Sequence, residues 1–188
     1  MYLGNLLLTT SRSATLLVIK IIVFLLIFVS LQWLWGLGRN SAVGHIMIEG
    51  ITVTSAVDLI NVISSDIIAS AQGTHITAVG GGINVVSGCD GLEVMFLLIA
   101  AMMISPLSWP AKLIGIVSGL VYIFLLNQLR LLTMFYAVRQ NKQLFELVHG
   151  LIAPIILVAL TSLFLAFWLS RYGLPVTLKV SKLNDLVD

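Results

Sequence analysis

Four apolar stretches, each close to twenty residues long, constrain this chain more than any other feature: Leu16 to Trp35, Leu92 to Trp109, residues 113 to 138, and His149 to Leu169. A helix rises about 1.5 Å per residue and a bilayer's hydrocarbon core is about 30 Å thick, so each stretch reads as a membrane span. Hydrophobic residues make up 59% of the 188 and charged ones 10%, with a mean hydropathy of +1.09. A water-soluble domain of that length could not bury so much apolar surface. The expected fold is therefore an all-α membrane protein, a four-span helical bundle forming one membrane-embedded domain over residues 1–188. Its spans fall at about 16–35, 92–109, 113–138 and 149–169. Trp33, Trp35, Trp109 and Trp168 sit at the ends of these runs, where amphipathic rings prefer the interface.

Lysine and arginine set the expected orientation. Arg12, Lys20, Lys112, Arg171, Lys179 and Lys182 fall on one side, Arg39, Arg130, Arg139 and Lys142 on the other. The bias places both termini in the cytoplasm and the loop 36–91 outside. That loop carries Arg39 against Glu49, Asp58, Asp66 and Asp90. The first run is longer than a signal-peptide core and lacks a small-x-small site after Trp35, so it reads as a retained span. One cysteine excludes an internal disulfide and a CxxC pair. A net charge of +2, dispersed along the chain, gives no reason to expect nucleic acid.

Within the outer loop, "IMIEGITVT" alternates enough to suggest a short strand. Ala56, Ile60, Ile63, Ile67 and Ala71 recur at helical steps, with Asp58, Asn61, Ser65 and Asp66 on other faces, which predicts an amphipathic helix on the outer surface. "HITAVGGGINVV" predicts a β-hairpin turning at Gly80, Gly81 and Gly82. Pro106 and Pro110 close a tight turn between the second and third spans, while Gly115 and Gly119 form a GxxxG that lets a helix approach closely.

Three polar side chains converge in depth. Arg130 lies 17 residues past Leu113, about 26 Å along a helix, and so near the outer edge of the core. His149 opens the fourth run on that side, and Cys89 stands three residues before Leu92, on that side again. Each alone has a plain reading: an inert cysteine, an arginine snorkelling outward, an interface histidine. Together they have the parts of a cysteine nucleophile, a cation for the thiolate or an oxyanion, and a general base that later acts as acid. Asp90 is expected to N-cap the second span with Glu93 at capping-box spacing, leaving free amides beside the thiol. Both acids also oppose thiolate formation. Glu146, three residues before His149, is expected to orient the ring; Asn127, one turn before Arg130, to hold the guanidinium or meet substrate. Pro154 is expected to kink the helix below His149.

"SGCDGLE" at Cys89, "NQLR" at Asn127 to Arg130 and "LFELVHG" around His149 together resemble the exosortase and archaeosortase family, most closely its exosortase H branch. The resemblance covers roughly residues 75–165. It implies Cys89 as nucleophile, Arg130 as its oxyanion or thiolate partner and His149 as the proton-transfer residue; no cofactor and no metal are expected. It further implies secreted protein substrates bearing a C-terminal motif, a transmembrane helix and a basic tail. Cleavage would occur at the outer face of a bacterial cytoplasmic (inner) membrane, with transfer to a lipid or envelope acceptor or to water. Asp90 departs from the family's usual Ser or Asn there, and the resemblance does not extend to residues 36–74, which leaves the contacts to the substrate motif unassigned. A small transporter or a non-catalytic assembly subunit are the competing readings, although the acids lie near span ends or in loops rather than at midplane.

Overall fold

The computed structural model describes residues 2–64, 66–86 and 88–173, with side chains from residue 14 onward. Ser65 and Ser87, the cations Lys179 and Lys182, and the side chain of Arg12 therefore lie outside the described residues. Helices dominate. We label them α1 (Tyr2–Gly38), α2 (Ala42–Ile63), α3 (Leu92–Ile104), α4 (Trp109–Gln140) and α5 (Lys142–Tyr172). Between α2 and α3 runs a three-stranded antiparallel sheet, β1 (Ser70–Gln72), β2 (His75–Ala78) and β3 (Gly81–Asn84), in the order β1-β2-β3.

Among the described residues, four helices are long and apolar enough to cross a membrane: Ala14–Gly38, α2, α4 and α5. This is the expected all-α membrane architecture, with two corrections to its parts. The run expected to span from 92 to 109 is helical for only 13 residues, about 20 Å and short of a bilayer core. It ends where Ser105 bonds back to the carbonyl of Met102 and the Lys112 ammonium reaches the carbonyl of Met103. The segment expected as a strand is instead the middle of α2, wound as a π-helix over Ile46–Val53. Thr52 and Thr54 each donate to a carbonyl five residues back, at 3.0 and 2.9 Å, which fits the wide turn. The alternation misleads because Ile48 and Val53 are buried while Ile46, Met47 and Ile51 stay exposed, so apolar residues occupy both faces. Such a pattern has no polar side to fix a strand's register.

The predicted amphipathic helix is present from Thr54 to Ile63 but not to Ala71. Asn61 explains the stop: its side chain donates to the carbonyl of Ala69 at 3.1 Å and accepts from its amide at 2.8 Å, tying the returning chain to the helix it has just left. Ala71 then enters β1. The predicted hairpin forms, pairing Ile76 with Ile83 and Ala78 with Gly81, but it turns at Val79 and Gly80, with Gly81 and Gly82 already in β3. Arg139 donates to the carbonyl of Val79 at 2.6 Å and pins the turn to the end of α4.

Two apolar clusters result. At one end of the bundle, which we call the cap, Ile48, Val53, Ala56 and Ile60 of α2 meet Ile76 and Ile83 of the sheet, Cys89, Val148, and Leu131, Met134 and Phe135 of α4. At the opposite end, Leu98 and Met102 of α3, Ile123 of α4, and Leu157 and Trp168 of α5 form a second core. The GxxxG serves this second core and not a visiting helix. A Cβ on Gly115 would overlap Trp168 and one on Gly119 would overlap Leu98, so the notch is already filled. Trp168 is likewise a packing residue rather than an interface anchor, buried and donating to the carbonyl of Ala111 at 3.1 Å.

Candidate active site

The chain leaves β3 and reaches α3 through a tight loop that carries the single cysteine. Gly88 at φ 84 and Gly91 at φ 77 both take left-handed backbone that a side chain would resist. A Cβ on Gly91 would also overlap Asn127, so the loop needs glycine there twice over. From α4, two side chains one turn apart grip the loop's carbonyls. Arg130 Nη1 donates to Gly88 O at 2.7 Å, and Asn127 Nδ2 donates to Cys89 O at 3.1 Å. Asn127 thus holds the peptide of Cys89, and not the guanidinium, the first of the two roles expected for it.

Cys89 Sγ lies 3.4 Å from His149 Nδ1 and 4.0 Å from Arg130 Nη2. Residues 41 and 60 positions away from the thiol therefore meet at one sulfur, where the depth argument predicts. Arg130 is 8% exposed, and among the described residues no carboxylate comes within 4.0 Å of it. A buried guanidinium that leans on a carbonyl and a thiol keeps most of its charge for whatever anion arrives.

The histidine is positioned in a way the sequence reading missed. Its ring stacks on Phe145, centroids 5.4 Å apart and planes 5° from parallel, and Nδ1 also lies 3.3 Å from Met134 Sδ. With the proton on Nε2, Nδ1 is free to accept from the thiol. Glu146 does not orient the ring; its carboxylate points to Lys142 at 4.0 Å and is 63% exposed. The signals for the true partners were present in the sequence: Phe145 is one turn before His149, and Met134 one turn after Arg130. The expected kink at Pro154 takes the form of a π-helical turn, Val148–Ile152, that contains His149. Pro154 has no N–H, so the ladder must be interrupted here.

Asp90 and Glu93 do not build a capping box. Gly91 occupies the cap position, and Asp90 Oδ1 accepts from the Leu92 amide at 3.2 Å, so the first free amide of α3 is already taken. Burial pushes the Cys89 thiol above its ordinary range; Asp90 and Glu93 push the same way, and Arg130 opposes them. The thiol is 2% exposed, not open to solvent as a surface nucleophile would be. Burial also raises the Asp90 carboxyl, against the pull of the Leu92 amide and of Arg39, whose Nη1 is 3.7 Å from Oδ2. Burial and the two acids thus work against the thiolate, and the Arg130 guanidinium works for it.

No curated protein and no solved structure matches this chain. Residues 1–168 match the family model described as transmembrane exosortase (Exosortase_EpsH). With the match running through the cysteine loop, the α4 arginine and the α5 histidine, the chain belongs to the transmembrane exosortases, a family of membrane-embedded sorting transpeptidases.

Proposed function

We propose that this protein is a cysteine transpeptidase that cuts the C-terminal sorting signal of secreted proteins at the outer membrane–water boundary. The cap faces away from the cytoplasm of a bacterial inner membrane, with both termini inside. The observation that carries the reading is the three-way meeting at one sulfur, with Nδ1 at 3.4 Å and Nη2 at 4.0 Å.

The chemistry follows from those distances. As the substrate carbonyl approaches, His149 Nδ1 takes the thiol proton and Sγ bonds to the carbonyl carbon. Negative charge moves to the carbonyl oxygen, and Arg130 supplies the positive charge that steadies it in a low-dielectric pocket. The imidazolium then gives its proton to the departing amine, the C–N bond breaks, and the thioester remains. An acceptor amine or hydroxyl, with water as the hydrolytic variant, attacks that thioester and returns the thiol. The raised thiol pKa fits this order: proton transfer accompanies attack, so a reactive sulfide is not left waiting in an empty site.

The test is processing of a co-expressed secreted protein that ends in a motif, an apolar helix and a basic tail. Cys89→Ala should leave the precursor uncut at wild-type protein levels. Processing that persists would favour an assembly subunit or a transporter and sink the enzymatic reading.

A further inference from the structure

Against Gly88 and Asp90, the residues that flank the nucleophile, a cavity of about 150 Å³ opens between the cysteine loop and the end of α1. Gln32, Trp35 and Arg39 face it from α1 and the residue following; Gly88, Asp90 and Glu93 face it from the loop and α3. At about 30 Å³ per water, it has room for a small polar group of roughly five water volumes.

Its charge is unbalanced. Two carboxylates, Asp90 and Glu93, meet one guanidinium, that of Arg39. The negative end of the α1 dipole adds to the same sign. The Asp90 side chain is 2% exposed, yet its Oδ2 accepts no hydrogen bond; Arg39 Nη1, at 3.7 Å, stands just beyond hydrogen-bonding distance. A buried carboxylate oxygen without a donor is costly, and a donor carried by a ligand would relieve it. Trp35 adds an aromatic wall of a kind that attracts cations. Glu93, itself exposed on the first turn of α3, is placed to meet an incoming group at the rim.

We propose that this cavity binds a primary ammonium group, with Asp90 Oδ2 and Glu93 as its acceptors, next to the thioester that Cys89 carries. The proposal rests on the acyl-transfer reading above and deepens it. The ammonium belongs either to the acceptor or to a basic side chain of the substrate. In the first case the bound ammonium gives one proton to a carboxylate or water and its nitrogen attacks the thioester carbon. The C–S bond breaks, His149 carries the amine's second proton to the sulfur, and an amide and a free thiol result.

The full chain in detergent, treated with iodoacetamide across a range of pH at constant ionic strength, supplies a readout that needs no turnover. The carboxylates raise the thiol, so neutralising them with ethanolamine should move the midpoint of the alkylation profile to lower pH. Choline, which has no N–H to offer Oδ2, should move it much less. The ethanolamine effect should vanish in Glu93→Gln, an exposed substitution that spares the fold, and in Asp90→Asn. An unmoved profile, an equal response to choline, or a response that survives both substitutions would overturn the site. The source is read separately from the acyl-enzyme. Ethanolamine that hastens its decay and appears in the product marks an acceptor pocket. Ethanolamine that instead competes with a substrate bearing lysine near the cut, and not with its norleucine version, marks a side-chain pocket. Should Cys89→Ala still process substrate, the proposed function fails while the alkylation profile still judges the cavity.

Discussion

The cap and the opposite end of the bundle are both apolar cores, yet they treat polar atoms differently. At the far end, large side chains fill glycine notches and the polar groups are spoken for: Trp168 on Ala111, Thr161 on Leu157, Ser105 on Met102. In the cap, four buried polar atoms lack a hydrogen-bond partner: Asp90 Oδ2, Asn127 Oδ1, Gln128 Oε1 and Arg130 Nε. Among the described residues these orphans lie only in the cap, around the cysteine loop and α4 where it meets α2. One end is built to hold together; the other keeps unspent bonding capacity, which is what a site for a polar substrate inside a greasy shell requires.

That contrast can be broken or sharpened by substitution. The largest effect should come from Cys89→Ala, which removes the proposed nucleophile and should reduce substrate processing to background while the protein still accumulates in the membrane. Next, Arg130→Lys should lower acyl-enzyme formation by about 10²- to 10³-fold, measured in a single turnover. A point ammonium cannot bond Gly88 O and face the sulfur as the planar fork does. Gly119→Leu should act on the other end alone: overlap with Leu98 and Phe164 should cost about 1–3 kcal/mol of stability in a denaturation assay. Turnover per folded molecule should stay near wild type, and a fall in turnover would mean the two cores are coupled.

Two smaller effects test the acids. Asp90→Asn keeps an oxygen for the Leu92 amide but removes an anion that raises the thiol. The sign is fixed: losing that anion lowers the thiol pKa, so alkylation of Cys89 should begin at lower pH than in wild type. Glu146→Gln should leave turnover within about twofold, because an exposed carboxylate facing Lys142 contributes little and does not touch the imidazole. A marked loss there would restore Glu146 as the orienting acid.

The sequence is most legible where one physical demand dominates. Length and hydropathy suffice for α1, α4 and α5, since a bilayer tolerates few alternatives. The glycine-rich junction between two β-branched runs suffices for the hairpin, which turns at Val79 and Gly80. The convergence of Cys89, Arg130 and His149 follows from counting residues along helices, because depth is nearly a function of position in a spanning segment. Elsewhere two demands compete. In α2, apolar residues face both the cap core and the surroundings, which erases the period that separates strand from helix. Residues 105–109 extend the apolar run of α3 but belong to a turn and to the start of α4, so hydropathy overstates the helix. Asp90 and Glu93 have capping-box spacing, but Gly91 with its positive φ takes the cap position. Asn127 sits where a guanidinium partner belongs and instead bonds a carbonyl brought from 38 residues away, a contact no local pattern contains.

The wide turn at Val148–Ile152 has a rotational consequence for α5. In an unbroken ladder at about 100° per residue, Leu157 would stand about 80° around the axis from His149, and Trp168 about 100°. One extra residue let into the ladder absorbs about 100°, bringing all three onto nearly the same face. A single helix can then aim its imidazole at the sulfur and its leucine and indole at the distant core at once, so the loosened turn is what allows one rod to serve both ends of the molecule.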